Sequence, residues 1–237
     1  LKIIYRPTNY AWNYTKPKEI KRSKFNGLSV SNAYIINEGK RRVQANLDSK
    51  GSWVSTFDIG LSESFNVDLS FSSIGQESNE SGPFKDKYHN VDEYLYRGGG
   101  KIELFKNSSK SFLSAVRLSA GRLMGNGWIF GELLNTYEVN DRTKFNLNPK
   151  FSLSGVGNPL GVGTSLHWEI IPGITLIPET NIALKESQNN WTLAVRISPF
   201  KGKFVDLYTT NSLSFIDTGQ LLRSKEQSFG VNIGTIF

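Results

Sequence analysis

Apolar residues recur at every second position through most of the chain, which is the pattern of β-strands with one face in an apolar medium. The clearest runs keep one parity within each segment: Trp53, Phe57, Ile59 and Leu61; Phe65, Val67, Leu69 and Phe71; Val162, Leu166, Trp168 and Ile170; and Trp191, Leu193, Val195 and Ile197. No segment shows convincing helical spacing, and no apolar run approaches the roughly 18 to 20 residues of a membrane-spanning helix. The pattern predicts an all-β chain.

The alternating segments number about twelve and fit a transmembrane antiparallel up-and-down β-barrel, with ten to fourteen strands as the range. We predict strands near 42–48, 52–61, 65–73, 92–105, 111–121, 127–138, 143–153, 161–171, 174–184, 191–198, 203–211 and 228–237. An even number of strands returns both termini to one side. Short connections such as Pro172-Gly173 fall on that side, and the long ones, 74–91 and 212–227, fall on the other, as in outer-membrane barrels.

Charged side chains occupy the opposite parity, which would face the lumen of a barrel. They form a predicted lumen charge network: Asp58, Asp68, Arg97, Lys101, Glu103, Arg117, Glu132, Glu138, Lys150, His167, Glu169, Glu179, Arg196 and Asp206. The acids and bases are balanced well enough to pair across a narrow interior. We therefore predict that the lumen is largely occupied and conducts poorly. In a soluble β-sandwich the same residues would form an ordinary solvent face, so parity alone leaves both folds open.

Two features favour the barrel and a bacterial outer-membrane location. Aromatic residues of the apolar parity lie toward strand ends, where the membrane interfaces would fall. The chain also ends on an alternating strand whose one face carries Phe229, Val231, Ile233 and Phe237. This strand resembles the terminal signal that the barrel-assembly machinery of the outer membrane recognises. The resemblance implies that this machinery and outer-membrane lipid are partners.

The positive charge is concentrated at the start of the chain. The net charge of +7 could suggest nucleic acid, but seven of the basic residues fall in the first 24 positions: Lys2, Arg6, Lys16, Lys18, Lys21, Arg22 and Lys24. We predict a basic N-terminal periplasmic segment over 1–40 and a barrel over 41–237. The segment is a solvated tail or one that meets envelope polysaccharide, lipid head groups or a periplasmic partner, rather than nucleic acid. Because the chain begins at Leu1, we interpret it as processed after export.

A short motif precedes the first predicted strand. It consists of Gly27-Leu28, Ser31-Asn32-Ala33 and Asn37-Glu38-Gly39. The motif resembles the opening of the YjbH-like outer-membrane barrels, which are associated with exopolysaccharide and capsule secretion. The match covers roughly residues 26–75, lacks the proline usual in that opening, and concerns proteins that are commonly longer. The resemblance implies a channel or scaffold role in envelope polysaccharide export and brings no catalytic residues.

Candidate catalytic chemistry is sparse. Ser165 and His167 stand two apart on the polar parity, away from the lipid face where a lipid hydrolase would meet its acyl chains. His89 lies near Asp86, Asp92 and Glu93, a grouping that only weakly fits a protease at the rim. With no cysteines and no metal-ligand spacing, we predict no catalytic residues, no metal and no cofactor. A non-enzymatic narrow channel or accessory scaffold barrel is favoured; the alternatives are a lipid hydrolase or rim protease, and a soluble β-sandwich binding module.

Overall fold

The protein forms a closed barrel of twelve antiparallel strands. The computed structural model describes residues 25–74, 93–109, 111–123, 126–155, 157–186 and 188–237. Within these residues the strands are β1 (Arg41–Asp48), β2 (Trp53–Gly60), β3 (Phe65–Ile74), β4 (Glu93–Lys106), β5 (Phe112–Leu123), β6 (Asn126–Asn140), β7 (Thr143–Ser154), β8 (Leu160–Ile171), β9 (Ile174–Lys185), β10 (Asn190–Ile197), β11 (Lys203–Ser212) and β12 (Arg223–Ile236). The predicted fold class is confirmed.

Each strand pairs with its sequence neighbours, and β1 pairs with β12 to close the sheet. At this seam the Arg41 amide donates to the Phe237 carbonyl and the Phe237 amide donates to the Arg41 carbonyl, both at 3.0 Å. Closure leaves no unpaired edge, which is what a sheet needs within lipid. One closed sheet excludes the two-sheet soluble sandwich, so that alternative was wrong.

The outer surface of the barrel carries a belt of exposed apolar side chains. Its members come from strands all around the barrel and include Leu69, Phe71, Leu104, Leu118, Ile129, Leu133, Leu147, Trp168, Ile182, Leu193, Val195, Leu207, Val231 and Ile233. In water such a continuous surface would be costly, whereas in a bilayer it is matched by acyl chains. Together with the closed fold, the belt confirms the predicted location in a bacterial outer membrane.

The connections differ between the two ends of the barrel. Four of the turns at the end that holds Arg41 and Phe237 span 61–64, 107–111, 141–142 and 172–173. The opposite end carries the connections 75–92, which lie outside the described residues, and 213–222. By the usual pattern of short periplasmic turns and long external loops, Arg41 and Phe237 lie at the periplasmic end.

The connection between β11 and β12 is shorter than predicted. β12 begins at Arg223 rather than near residue 228 and pairs with β11 already at Ser212. The connection contains a 3₁₀ turn, Asp217–Leu221, whose polar side chains point into the barrel. Among the described residues, no helix has the length and apolarity needed to cross a membrane.

The region before β1 does not lie where the sequence suggested. Residues 1–24 are outside the described part of the chain. Residues 25–36, which we expected in the periplasm with the rest of 1–40, lie within the barrel and are almost entirely buried. Composition could not reveal this, because a segment that mixes apolar residues such as Phe25, Leu28 and Val30 with small and polar ones does not show whether it packs in a lumen or against a periplasmic partner.

Candidate functional site

The centre of the barrel is filled by residues 25–36, which we call the lumen plug. Phe25 packs against Phe204 near the periplasmic end, with ring centroids 4.3 Å apart. The chain rises to the middle of the barrel around Ser29 and returns to the periplasmic end at Tyr34. The two arms of this re-entrant turn are tied together by Asn32, whose side-chain amide donates to the Phe25 carbonyl at 2.6 Å.

Side chains of the barrel wall bond the backbone at the apex of the plug. The amides of Leu28 and Ser29 donate to the two carboxylate oxygens of Glu179 at 2.9 and 2.6 Å. The Ser29 carbonyl accepts from Lys150 Nζ at 2.6 Å. The Ser31 carbonyl accepts from Asn148 Nδ2 at 2.7 Å. Irregular backbone at membrane depth requires such partners, because its polar groups would otherwise be buried unsatisfied.

The returning arm makes both polar and apolar contacts. The Ala33 amide donates to Thr136 Oγ1 at 2.8 Å, and the Tyr34 hydroxyl donates to Glu138. Lys144 Nζ lies 4.7 Å from the centre of the Tyr34 ring. Ala33 and Tyr34 pack in one cluster with wall residues of β5 and β6 that face inward: Leu113, Ala115 and Leu134. The lumen therefore contains a small apolar patch that matches the plug.

A second segment enters the lumen from the opposite end. This inner loop, residues 213–222, packs Ile216 and Leu221 against Trp128 and Phe130 of β6. Its Gln220 Oε1 accepts from Lys150 Nζ at 2.8 Å, so Lys150 bonds both the inner loop and the plug. Plug and inner loop thus meet at mid-barrel.

Most of the predicted lumen charge network lies inside the barrel. Eleven of its members are buried: Asp58, Asp68, Arg97, Lys101, Arg117, Glu132, Lys150, His167, Glu179, Arg196 and Asp206. Ion pairs link Arg97 with Asp68, Arg117 with Glu132 at 3.0 Å, Lys150 with Glu132 at 3.5 Å, and Arg196 with Asp206 at 2.7 Å. In each pair the two partners stand on neighbouring strands of the wall, because the plug occupies the space across which we expected them to pair.

Three predicted members of the network lie toward the periplasmic rim and are only partly buried. Glu103 lies 3.7 Å from Lys106, Glu138 accepts from Tyr34, and Glu169 accepts from the Gly173 amide at 3.0 Å in the turn between β8 and β9. Their alternation in the sequence was correct, but their position along the strand places them at a strand end. Sequence parity gives the face of a residue and not its depth.

Two charged lumen residues were missed by the sequence prediction. Arg42 forms a double hydrogen bond with Asp58, both at 2.9 Å, directly across from it in the β1–β2 register. Because Arg42 lies at an inward-facing position of the alternating pattern of β1, the sequence could have predicted that it faces the lumen. Asp217 comes from the inner loop, and no alternation could have indicated that this loop folds inward.

The candidate hydrolase pair does not form a catalytic arrangement. Ser165 Oγ accepts from Asn146 Nδ2 at 2.8 Å, and Nε2 of the buried His167 has no hydrogen-bond partner among the described residues. The described residues contain no group of three or more histidines and acids that could hold a metal. His89, Asp86 and Asp92 fall outside the described residues, and the side chain of Glu93 is not described.

The space that the plug and the inner loop leave is small. A polar cavity of about 70 Å³ lies between them and the wall of β1–β4, lined among others by Arg42, Asp58, Asn66 and Lys101. A water occupies roughly 10–15 Å³ on this measure, so the cavity holds only a few waters.

Comparison with solved structures identifies barrels of the same architecture. The KdgM porin in complex with disordered oligogalacturonate matches with a TM-score of 0.61 at 9% identity, covering 84% of this chain and 99% of that one. The KdgM porin alone gives 0.60 at 10%, with the same coverage. The COG4313 outer membrane channel from Pseudomonas putida F1 gives 0.59 at 7%, covering 86% and 98%.

No family model and no curated protein matches the chain. The resemblance to YjbH-like barrels is therefore not supported by the comparisons and stays a prediction. Two parts of the motif, Gly27-Leu28 and Ser31-Asn32-Ala33, belong to the lumen plug, and the third, Asn37-Glu38-Gly39, lies between the plug and β1. The chain has the fold of bacterial outer-membrane channel proteins.

Proposed function

We propose that the protein is a non-enzymatic outer-membrane channel that its own lumen plug and inner loop hold closed. The main support for this proposal is the set of wall side chains that form hydrogen bonds with the backbone of the plug. Glu179, Lys150 and Asn148 each present charge or amide groups to main-chain atoms of residues 28–31. A lumen filled only for stability would be simpler to build from apolar side chains, which carry no desolvation cost.

The polar character of these contacts makes the plug displaceable. A neutral hydrogen bond contributes only about 0.5–1.5 kcal/mol net, and one to a charged group such as Glu179 or Lys150 about 1.5–3 kcal/mol, since water replaces the lost partner when the plug leaves. The barrel itself is held by twelve continuous strand ladders that close on themselves. The plug should therefore leave the lumen under conditions in which the barrel stays folded.

Replacing the obstructing segments tests the proposal. In one variant residues 25–36 become a glycine-serine linker of equal length, in a second residues 213–222 become a short glycine-serine turn, and a third carries both changes. We expect small, brief currents from the unaltered chain in a planar bilayer and a large, steady conductance from the third variant. The mobility shift of folded barrel on an unheated gel controls for folding.

A reversible cross-link tests whether the plug moves in a chain that still contains it, which the replacement variants cannot do. Because the chain has no cysteines, Ser29→Cys with Asn181→Cys introduces a single reactive pair. These side chains lie 3.2 Å apart between Ser29 Oγ and Asn181 Nδ2. A short bifunctional methanethiosulfonate should abolish the brief openings, and dithiothreitol should restore them.

If the folded third variant conducts no better than the unaltered chain, the protein is a scaffold and not a channel.

We further propose that the channel serves envelope polysaccharide export, as a passage or as an accessory barrel. Two sequence features support this: the motif shared with YjbH-like barrels, and the seven basic residues among the first 24. Basic segments attract polyanions through charge alone. The chain without residues 1–24 should lose retention on an acidic polysaccharide resin at low salt. Equal retention of both chains would rule out this part of the proposal.

A further inference from the structure

The side chain of Asp217 occupies a ready-made anion site. Its Oδ2 accepts hydrogen bonds from Ser119 Oγ at 2.8 Å and from the indole Nε1 of Trp128 at 3.1 Å. Its Oδ1 lies 3.4 Å from Arg97 Nε and 3.7 Å from an Arg117 terminal nitrogen. Two guanidinium groups, a hydroxyl and an indole N–H thus converge on one carboxylate.

All four donors belong to the barrel wall, whereas the carboxylate belongs to the inner loop. Arg97 lies on β4, Ser119 and Arg117 on β5, and Trp128 on β6, so three adjacent strands build the site. Strand positions are fixed by the backbone ladder and do not depend on the loop. The site would persist if the loop moved away.

The charges at this part of the wall favour an anion when Asp217 is withdrawn. Arg97 and Arg117 keep their wall partners Asp68 and Glu132. Lys101 lies beside them in the same cavity, and among the described residues its ammonium donates to a plug carbonyl, that of Asn32, at 3.3 Å. Three cations would then face two carboxylates. One negative charge restores the balance, and Asp217 supplies it in the closed state.

Asp217 does not fill the site ideally. Its φ is +43°, a left-handed conformation that is strained for a non-glycine residue. Its distances to both guanidinium groups exceed the roughly 2.7–2.9 Å of a good charge-assisted hydrogen bond. A carboxylate free of the loop backbone could approach more closely.

We propose that the wall site of Arg97, Arg117, Ser119 and Trp128 binds the carboxylate of an incoming solute, and that Asp217 occupies it as an internal substitute. A carboxylated solute arriving from outside displaces Asp217 and releases the inner loop. The inference rests on the proposed function, since it names the solute class of that channel. The inner loop is then a gate that opens when a carboxylated solute binds in place of Asp217.

A buried cysteine can report release of the loop in detergent, without any measurement of conductance. Thr218 neighbours Asp217, is only 9% exposed, and contacts Ser152 through its hydroxyl at 2.6 Å. The rate at which a maleimide labels Thr218→Cys is measured with acetate, glucuronate or glucose at constant ionic strength. We expect acetate or glucuronate to accelerate labelling several-fold and glucose to leave it unchanged. Acceleration by both anions indicates that any carboxylate suffices; acceleration by glucuronate alone indicates a sugar acid.

A second variant tests the internal substitute itself. Asp217→Asn in the Thr218→Cys chain removes the negative charge at equal size. Losing charge-assisted bonds should raise labelling about tenfold without any anion, and added carboxylate should then have little effect. Asp141→Asn, an exposed acid in the turn between β6 and β7, is the matched control and should leave the rate unchanged.

Unaccelerated labelling with both carboxylates, equal acceleration by glucose, or an unchanged rate in Asp217→Asn would each overturn the inference. The bilayer conductance of the doubly replaced chain is independent of these rates. If the protein is a channel without the carboxylate site, the doubly replaced chain conducts but carboxylates do not accelerate labelling. If the barrel is no channel, the doubly replaced chain does not conduct, whatever the labelling rates are.

Discussion

At the scale of single residues, Gly27 shows how closely the plug approaches the wall. A Cβ atom at this position would overlap the Glu179 carboxylate and would meet the Val30 carbonyl oxygen at 2.6 Å. Its φ is not positive, so the requirement for glycine comes from close approach and not from backbone conformation. The same carboxylate that binds the plug amides thus excludes any larger residue from position 27.

Gly27→Ala should therefore loosen the plug while leaving the barrel folded. Overpacking of this kind typically costs about 1–3 kcal/mol, which corresponds to an increase of roughly 5-fold to 150-fold in the displaced fraction. Val30, fully buried in the plug, becomes the reporter as Val30→Cys, and its rate of modification by a maleimide is measured. Gly155→Ala is the matched control, because a Cβ there meets nothing within 4 Å. Equal rates in both variants would show that the plug does not need this close contact.

At the scale of elements, β12 combines closure of the barrel with an exposed apolar face. Its backbone pairs with both β1 and β11, so it is a central strand despite being last. Phe229, Val231 and Ile233 are exposed on the lipid side, and Phe237 at the end of the chain is 55% exposed. The predicted assembly signal is thus a face that makes no contact the barrel itself requires.

We predict that Phe237→Glu impairs insertion and not intrinsic folding. A charge near the membrane interface costs a barrel only about 0–1 kcal/mol, so refolding into detergent should match the unaltered chain. Folded protein in outer-membrane fractions should fall several-fold, because the charge interrupts the apolar face of Phe229, Val231, Ile233 and Phe237 that we predict the assembly machinery recognises. Phe200→Glu, at an exposed phenylalanine in the turn between β10 and β11 at the same end, is the matched control. Similar membrane levels of the two variants would contradict a role in assembly.

At the scale of the whole molecule, two obstructions lie in series along one lumen. The plug enters from the periplasmic end, the inner loop from the opposite end, and Lys150 bonds both at 2.6 and 2.8 Å. We predicted an occupied lumen from paired side chains, and the lumen is indeed occupied. The reason differs, since main-chain segments fill it and the wall charges bind those segments.

The open fractions of two gates in series multiply when the gates move independently, and since Lys150 bonds both segments, a departure from the product measures their coupling. If Gly27→Ala and Asp217→Asn each raise the fraction of time in which one gate is open, the double variant should open with about the product of the two factors. Single-channel recordings of the four chains in planar bilayers measure this fraction. A single variant that opens as often as the double variant would show that one segment alone closes the lumen.

The sequence by itself determined the strands and the face of the sheet on which each residue lies, because a barrel strand must alternate between lipid and lumen at a period of two. All twelve predicted strands overlap observed ones, and eleven of the fourteen predicted lumen residues are buried there. That alternation is local, so it can be read from the printed chain at Trp191 to Ile197 as well as at Phe65 to Phe71.

What fills the lumen was decided only by the tertiary structure. The burial of residues 25–36 and 213–222 depends on partners roughly a hundred or more positions away: Ser29 and Glu179 are 150 positions apart, and Ser119 and Asp217 are 98 apart. The lumen offers both polar side chains and apolar patches, so the hydrophobicity of these mixed segments gives no sign that they enter it. The sequence therefore specified the wall, and three-dimensional packing specified the plug, the inner loop and the anion site that they cover.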